Sequence, residues 1–108
     1  MGFRRAPLND LYTHGRWVVK EGAQEKLRAA WQEFAEWTSE NVPGAIPGQA
    51  RLLEDLDDPR VFYSFGPWES LEAIAAWRAN PGFQERIGRI REVLDSVETH
   101  TLRTVVAR

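Results

Sequence analysis

The nineteen residues from Phe65 to Phe83, FGPWESLEAIAAWRANPGF, constrain the fold more tightly than any other stretch of this chain. Gly66-Pro67 closes an apolar run, because proline has no N–H to give to a central strand ladder. Ser70 follows as an N-cap, with Glu69 and Glu72 near the positive end of the helix dipole it starts. Asn80-Pro81 is a second N-cap with proline at the first helical position. The stretch therefore predicts a strand end, a short helix, a tight corner and a second helix. It also sets Trp68 and Trp77 nine residues apart, a spacing that predicts neighbouring parts of one cavity wall.

Outward from that segment, residues 1–11 read as an N-terminal arm and 12–108 as a single domain. His14 to Lys20 is a first strand built on Trp17, Val18 and Val19, closed by Glu21-Gly22. From Ala23 to about Asn41, Leu27, Trp31, Phe34 and Thr38 recur at helical spacing, with charged and amide side chains opposite. Pro43-Gly44 and Pro47-Gly48 break the helix and open a loop. Gln49 to Leu56 and Arg60 to Phe65 form a hairpin around Asp57-Asp58-Pro59. Those two aspartates are turn formers rather than a catalytic carboxylate pair. Phe83, Ile87, Ile90 and Leu94 step along a long helix, and Glu98 to Val106 is a fourth strand.

The order is β-α-β-β-α-β, with the second helix broken at Asn80-Pro81. This is the ferredoxin-like α+β plan, a four-stranded antiparallel sheet with its helices on one face. Val61, Phe62, Tyr63 and Phe65 put apolar groups on both faces of their strand. Helices cover one face only, so the other predicts a second copy of the sheet and a homodimeric barrel, the alternative being a long arm folded over it.

Composition narrows the function. A chain of 108 residues buries roughly two-thirds of its unfolded surface, which is one modest core. Five tryptophans and five phenylalanines are many for that core, and suit an aromatic-lined pocket or a subunit contact as well as packing. The net charge of −2, with acids and bases interspersed, excludes a nucleic-acid footprint; Arg4-Arg5 and the Arg86–Arg91 face are solvated clusters. No run is long enough for a bilayer span, and the N-terminus lacks the apolar block of a secretory signal. Without cysteine there is no disulfide, thiolate nucleophile or cysteine-held metal, and a cytoplasmic location is expected.

Gly22, Pro43-Gly44, Asp58-Pro59, Gly66-Pro67-Trp68-Glu69-Ser70, Trp77 and Pro81-x-Phe83 together resemble the antibiotic biosynthesis monooxygenase family of dimeric α+β barrels. The resemblance spans about Arg16 to Val106. It implies a pocket between sheet and helices, and oxidation of a small aromatic or polyketide-type substrate, an anthrone or quinol, by O2. No flavin or metal is implied: a deprotonated substrate supplies the electron to O2 itself. Quinone-forming members carry an asparagine where this chain has Ser64, keep the tryptophan here at Trp68, and place an arginine at the position of Ile87, next to Arg86. A one-residue shift turns a helical side chain by about 100°. The haem-degrading branch needs an asparagine near Gly15, a tryptophan at Trp77 and a histidine at Ile87; only Trp77 is kept.

The candidate catalytic residues are therefore His14, at the pocket mouth as a general base, Ser64, to hydrogen-bond a substrate oxygen, and Arg86, for the proton or the anion. Trp68, Trp77, Trp31, Trp17 and Phe62 are the candidate ring-binding wall. His100 belongs to the fourth strand and the dimer face. The two histidines have no acidic partner at ligand spacing, so no metal site is expected. The alternative function is a non-catalytic dimeric module binding an apolar metabolite or partner chain.

Overall fold

The computed structural model describes residues 10–108. Four strands and three helices follow in the order β1 (Leu11–Val19), α1 (Gln24–Asn41), β2 (Arg51–Glu54), β3 (Val61–Trp68), α2 (Leu71–Ala79), α3 (Pro81–Arg91) and β4 (Leu94–Arg103). The strands form one antiparallel sheet in the order β2-β3-β1-β4, the ferredoxin-like arrangement expected from the element order. β3 lies between β1 and β2, so β1-α1-β2 is a split crossover.

Local chemistry accounts for the helix boundaries. In α1 the buried residues are Leu27, Phe34 and Thr38, the stripe read from spacing, and the helix stops one residue before Val42-Pro43. Ser70 caps α2 by accepting from the Ala73 N–H at 3.1 Å. Asn80 closes α2 and opens α3, its side chain accepting from the Gly82 N–H at 2.7 Å. In the hairpin turn Asp55 accepts from the Asp57 N–H and Asp58 from the Arg60 N–H, so the acidic run is turn chemistry.

Several boundaries differ from the sequence reading: β2 is shorter than Gln49 to Leu56, and the last strand is Leu94–Arg103 rather than Glu98 to Val106. β1 begins at Leu11, which therefore belongs to the sheet; of the rest of the expected arm, Asp10 accepts from the Thr104 N–H and residues 1–9 lie outside the described residues. β3 does not end at Gly66-Pro67 but runs on to Trp68, paired with Leu11 of β1. Proline is tolerated because β2 pairs with β3 no further than Phe65, so past it one side of β3 has no ladder to supply. The Ala45–Ile46 segment fills that side, with an Ala45–Trp68 bridge and the Ile46 N–H on the Pro67 carbonyl. The last helix stops at Arg91, and Leu94 is the first residue of β4 rather than the end of a helical stripe.

Two buried clusters sit between sheet and helices. One is centred on Trp17, Leu27, Phe34, Phe62 and Ile90, the other on Leu11, Val42, Trp68 and Ile74, and Trp37 and Trp77 pack against both. Gly44, at φ +91°, lets the loop after α1 press on the second cluster, since a Cβ there would collide with Ala73. Among the described residues no helix is long and apolar enough to cross a membrane.

Candidate functional site

Strand alternation decides which side chains can form a site. The register pairs Leu11 with Trp68, Thr13 with Gly66, Gly15 with Ser64 and Trp17 with Phe62, so these residues share the face toward the helices. Across β1, Thr99 pairs with Gly15 and Thr101 with Thr13, on the same inner face. Tyr63, Phe65, His14 and His100 belong to the outer face.

A cavity of about 320 Å³ lies between the inner face, α1, the Ala45–Ala50 loop, α2 and α3. That volume is at the lower end of small-molecule sites. Several aromatic rings line it. Trp68 and Trp77 meet at 4.8 Å between centroids, Trp77 and Phe83 at 4.7 Å edge to face, and Phe34 stacks on Trp77 at 5.5 Å. Trp17 and Trp31 also line it. Trp68 and Trp77, expected on neighbouring parts of one wall, both line this cavity.

The polar groups follow one rule. Each of three indoles donates its N–H to a hydroxyl that also lines the cavity: Trp17 to Ser64 at 2.9 Å, Trp68 to Thr13 at 3.0 Å, and Trp77 to Thr38 at 3.0 Å. A hydroxyl that accepts still has its own proton to give. Among the described residues the Ser64 hydroxyl donates to no protein group, and Ser64 is 8% exposed. Gly15 makes the first pair possible, because a Cβ there would stand 2.6 Å from the Trp17 ring nitrogen. The indole lies back across the glycine to reach the serine directly opposite it.

The other expected residues separate. Trp17, Trp31, Ser64, Trp68 and Trp77 come together around the cavity. His14 borders it through its strand position, but its ring is on the outer face, 4.9 Å from Phe65 and 5.7 Å from His100 between centroids. This is a consequence of alternation: Thr13 and Gly15 point inward, so His14 cannot. Arg86 does not line the cavity either. It sits over Trp37 at 4.5 Å, bonds Glu33 at 3.0 Å and donates to the Gly82 carbonyl. Ile87 takes the inward position one residue on. Phe62 is 2% exposed in the first core cluster, and so serves packing rather than the cavity wall.

Sequence reasoning missed Arg78. Among the described residues it is the one arginine or lysine lining the cavity, and its Nη1 donates to Thr101 at 2.8 Å. Burial pushes its guanidinium below its ordinary range. The signal was available in the spacing: Arg78 stands four residues after buried Ile74 and next to Trp77, on the inward stripe of α2.

The model of the antibiotic biosynthesis monooxygenase family matches residues 11–88, from the first strand through most of α3. The chain belongs to the antibiotic biosynthesis monooxygenase family. No curated protein matches it. Among solved structures, SnoaB, a cofactor-independent oxygenase from Streptomyces nogalater, is 20% identical, with 93% of this chain and 94% of that one covered and a TM-score of 0.78. A candidate antibiotic biosynthesis monooxygenase from Nitrosomonas europaea is 15% identical over 93% and 94%, with a TM-score of 0.77. A conserved protein from Methanosarcina mazei Go1 is 14% identical over 90% and 94%, with a TM-score of 0.76. All three share the fold of this family member.

Proposed function

We propose that the protein is a cofactor-independent monooxygenase that oxidises a planar aromatic substrate of the anthrone or quinol type with O2. The observation that carries this reading is the ring-walled cavity whose buried Ser64 hydroxyl is held by the Trp17 indole with its own proton left to give. An anthrone that loses a C–H proton becomes an aromatic enolate, and its negative charge sits largely on oxygen. A preorganised donor in an apolar site favours that anion over the neutral substrate. The enolate then gives an electron to O2, the radical pair combines into a carbon–oxygen bond, and the peroxide loses water. In sum the CH2 group and O2 become C=O and H2O, and the substrate is the only reductant. Trp68 holds the rings, and Ser64 donates to the oxygen that becomes anionic. The proton leaves through the mouth of the cavity to water.

The family membership and the fold shared with SnoaB support this activity class. Ile87 offers no nitrogen to iron at the inward position of α3, which favours oxygenation over haem chemistry. We further propose a homodimer through the outer sheet face, supported by the cluster of half-buried His14, Tyr63 and Phe65 with exposed His100, Leu53 and Leu102 around it.

A second reading is favoured by one observation. His14 is turned away, so no imidazole faces the cavity, and a dimeric module that binds a flat apolar metabolite without turnover needs none. O2 consumption by metal-stripped protein supplied with an anthrone separates the two. Oxygenation predicts uptake above the spontaneous rate, lowered about 10²-fold in kcat by Ser64→Ala, as for loss of one oxyanion donor. Trp68→Phe lowers it too, by loosening the rings. A rate equal to buffer, with the anthrone bound, would establish the binding module instead.

A further inference from the structure

Strand register brings together two residues that stand far apart in the chain. His14 of β1 lies directly opposite His100 of β4, and both belong to the outer face of the sheet. Their ring centroids are 5.7 Å apart and their planes 26° from parallel. The Glu98 carboxylate stands on the same strand and face as His100, with Oε1 3.7 Å from its Nε2. The expectation of no metal site rests on sequence distance, which this pairing cancels. An ion held tetrahedrally by two imidazoles, about 2.0–2.1 Å from each nitrogen, keeps the two ring centres roughly 5 Å apart. The observed separation is a small side-chain adjustment away from that. Rotation about the broad Cβ–Cγ torsion turns both nitrogens toward one point. Glu98 at Nε2 leaves Nδ1 of His100 for the ion, and it stands where a carboxylate orients a ligating imidazole.

We propose that His14 and His100 are one half of a zinc site, completed by the same pair from a second copy of the chain whose outer sheet face meets this one. The proposal rests on the homodimer reading above only in that two outer faces meet. One chain does not suffice, since among the described residues no three His, Cys, Asp or Glu side chains cluster so as to hold an ion. Two copies related by a two-fold axis supply four imidazole nitrogens, a full tetrahedral set. Sheets packed face to face lie about 10 Å apart, so an ion midway is about 5 Å from each, within reach of an imidazole nitrogen and one coordination bond. Imidazole selects Zn²⁺ and its transition-metal neighbours over Mg²⁺ or Ca²⁺, which take oxygen ligands. The site lies across the sheet from the cavity, so it acts on association and takes no part in oxygenation.

The test needs no substrate. The full chain is stripped with a chelator, and its association is measured by sedimentation equilibrium alone, with Zn²⁺, and with Mg²⁺ as the control. Zinc is expected to tighten pairing at least about tenfold, and Mg²⁺ to leave it unchanged. Metal analysis of the paired species should give one zinc per two chains. His14→Gln and His100→Gln, shown to be folded by their far-ultraviolet dichroism, should each abolish the zinc effect, because either change removes two of the four ligands. One zinc per chain, no bound zinc, or zinc-tightened pairing that survives either variant would overturn the assignment. Pairing that occurs without metal and does not respond to zinc would remove the site and leave the dimer standing. A chain that is monomeric without metal and pairs with zinc would do the reverse, keeping the site and removing the unaided dimer.

Discussion

At the scale of single residues, the site depends on a glycine. Trp17 reaches Ser64 because Gly15, opposite the serine, has no side chain to occupy the space of the indole. Gly15→Ala places a methyl group where the ring nitrogen lies, so the indole must move and its hydrogen bond to Ser64 is lost. The variant should fold, with a changed near-ultraviolet dichroism spectrum, and its oxygenase rate should fall nearly as far as that of Ser64→Ala. An unchanged spectrum and rate would mean that the Trp17–Ser64 pair is not required. The glycine itself gave no warning in the sequence, because it is explained by a side chain two residues ahead that curls back. Ser64 and Trp68 were legible because the Trp-Glu-Ser motif fixes them. His14 and Arg86 were not. One is turned out by strand alternation, the other by about 100° on α3, and neither register is known until the pairing is.

At the scale of elements, the corner between α2 and α3 sets the position of the inner wall. Trp77 precedes Asn80 by three residues and Phe83 follows it by three, and the two rings meet edge to face at 4.7 Å. Asn80 holds the corner, since its side chain caps α3 while its backbone ends α2. Removing a cap costs about 1 kcal/mol. For a domain of this size that is a fall of about 4–8 °C in Tm for Asn80→Ala. Calorimetry checks it, and a shift within error would show that Pro81 alone makes the turn. This corner was readable from the sequence because Asn-Pro carries both signals at once. The extension of β3 through Gly66-Pro67 was not, because the rule against proline in strands assumes a neighbour on both sides, and β2 is too short to be one.

At the scale of the whole molecule, a four-stranded sheet with helices on one face leaves rings only half-buried on the other. His14, Tyr63 and Phe65 cluster there, with His100 at the edge. The even distribution of apolar residues along β3 made this second face legible from the sequence, whereas what covers it is a property of two chains. Phe65→Asp puts a charge at the centre of that face. In a sheet-to-sheet dimer it should weaken association by at least about a hundredfold, an effect of desolvating an unpaired charge. Sedimentation equilibrium of the wild type and this variant reads the change. A wild type that is already monomeric would remove the dimer from the account.

The claim on which the rest depends is that this cavity carries out oxygenation with O2 as oxidant and the substrate as sole electron source. Isotope labelling tests it most directly. Metal-stripped protein is given an anthrone under ¹⁸O2 in ordinary water, and the ketone is analysed by mass spectrometry. The account predicts one heavy oxygen per product molecule, formed faster than in protein-free buffer and slower with Ser64→Ala. Product carrying only water-derived oxygen, or labelled product formed no faster than in buffer, would contradict it.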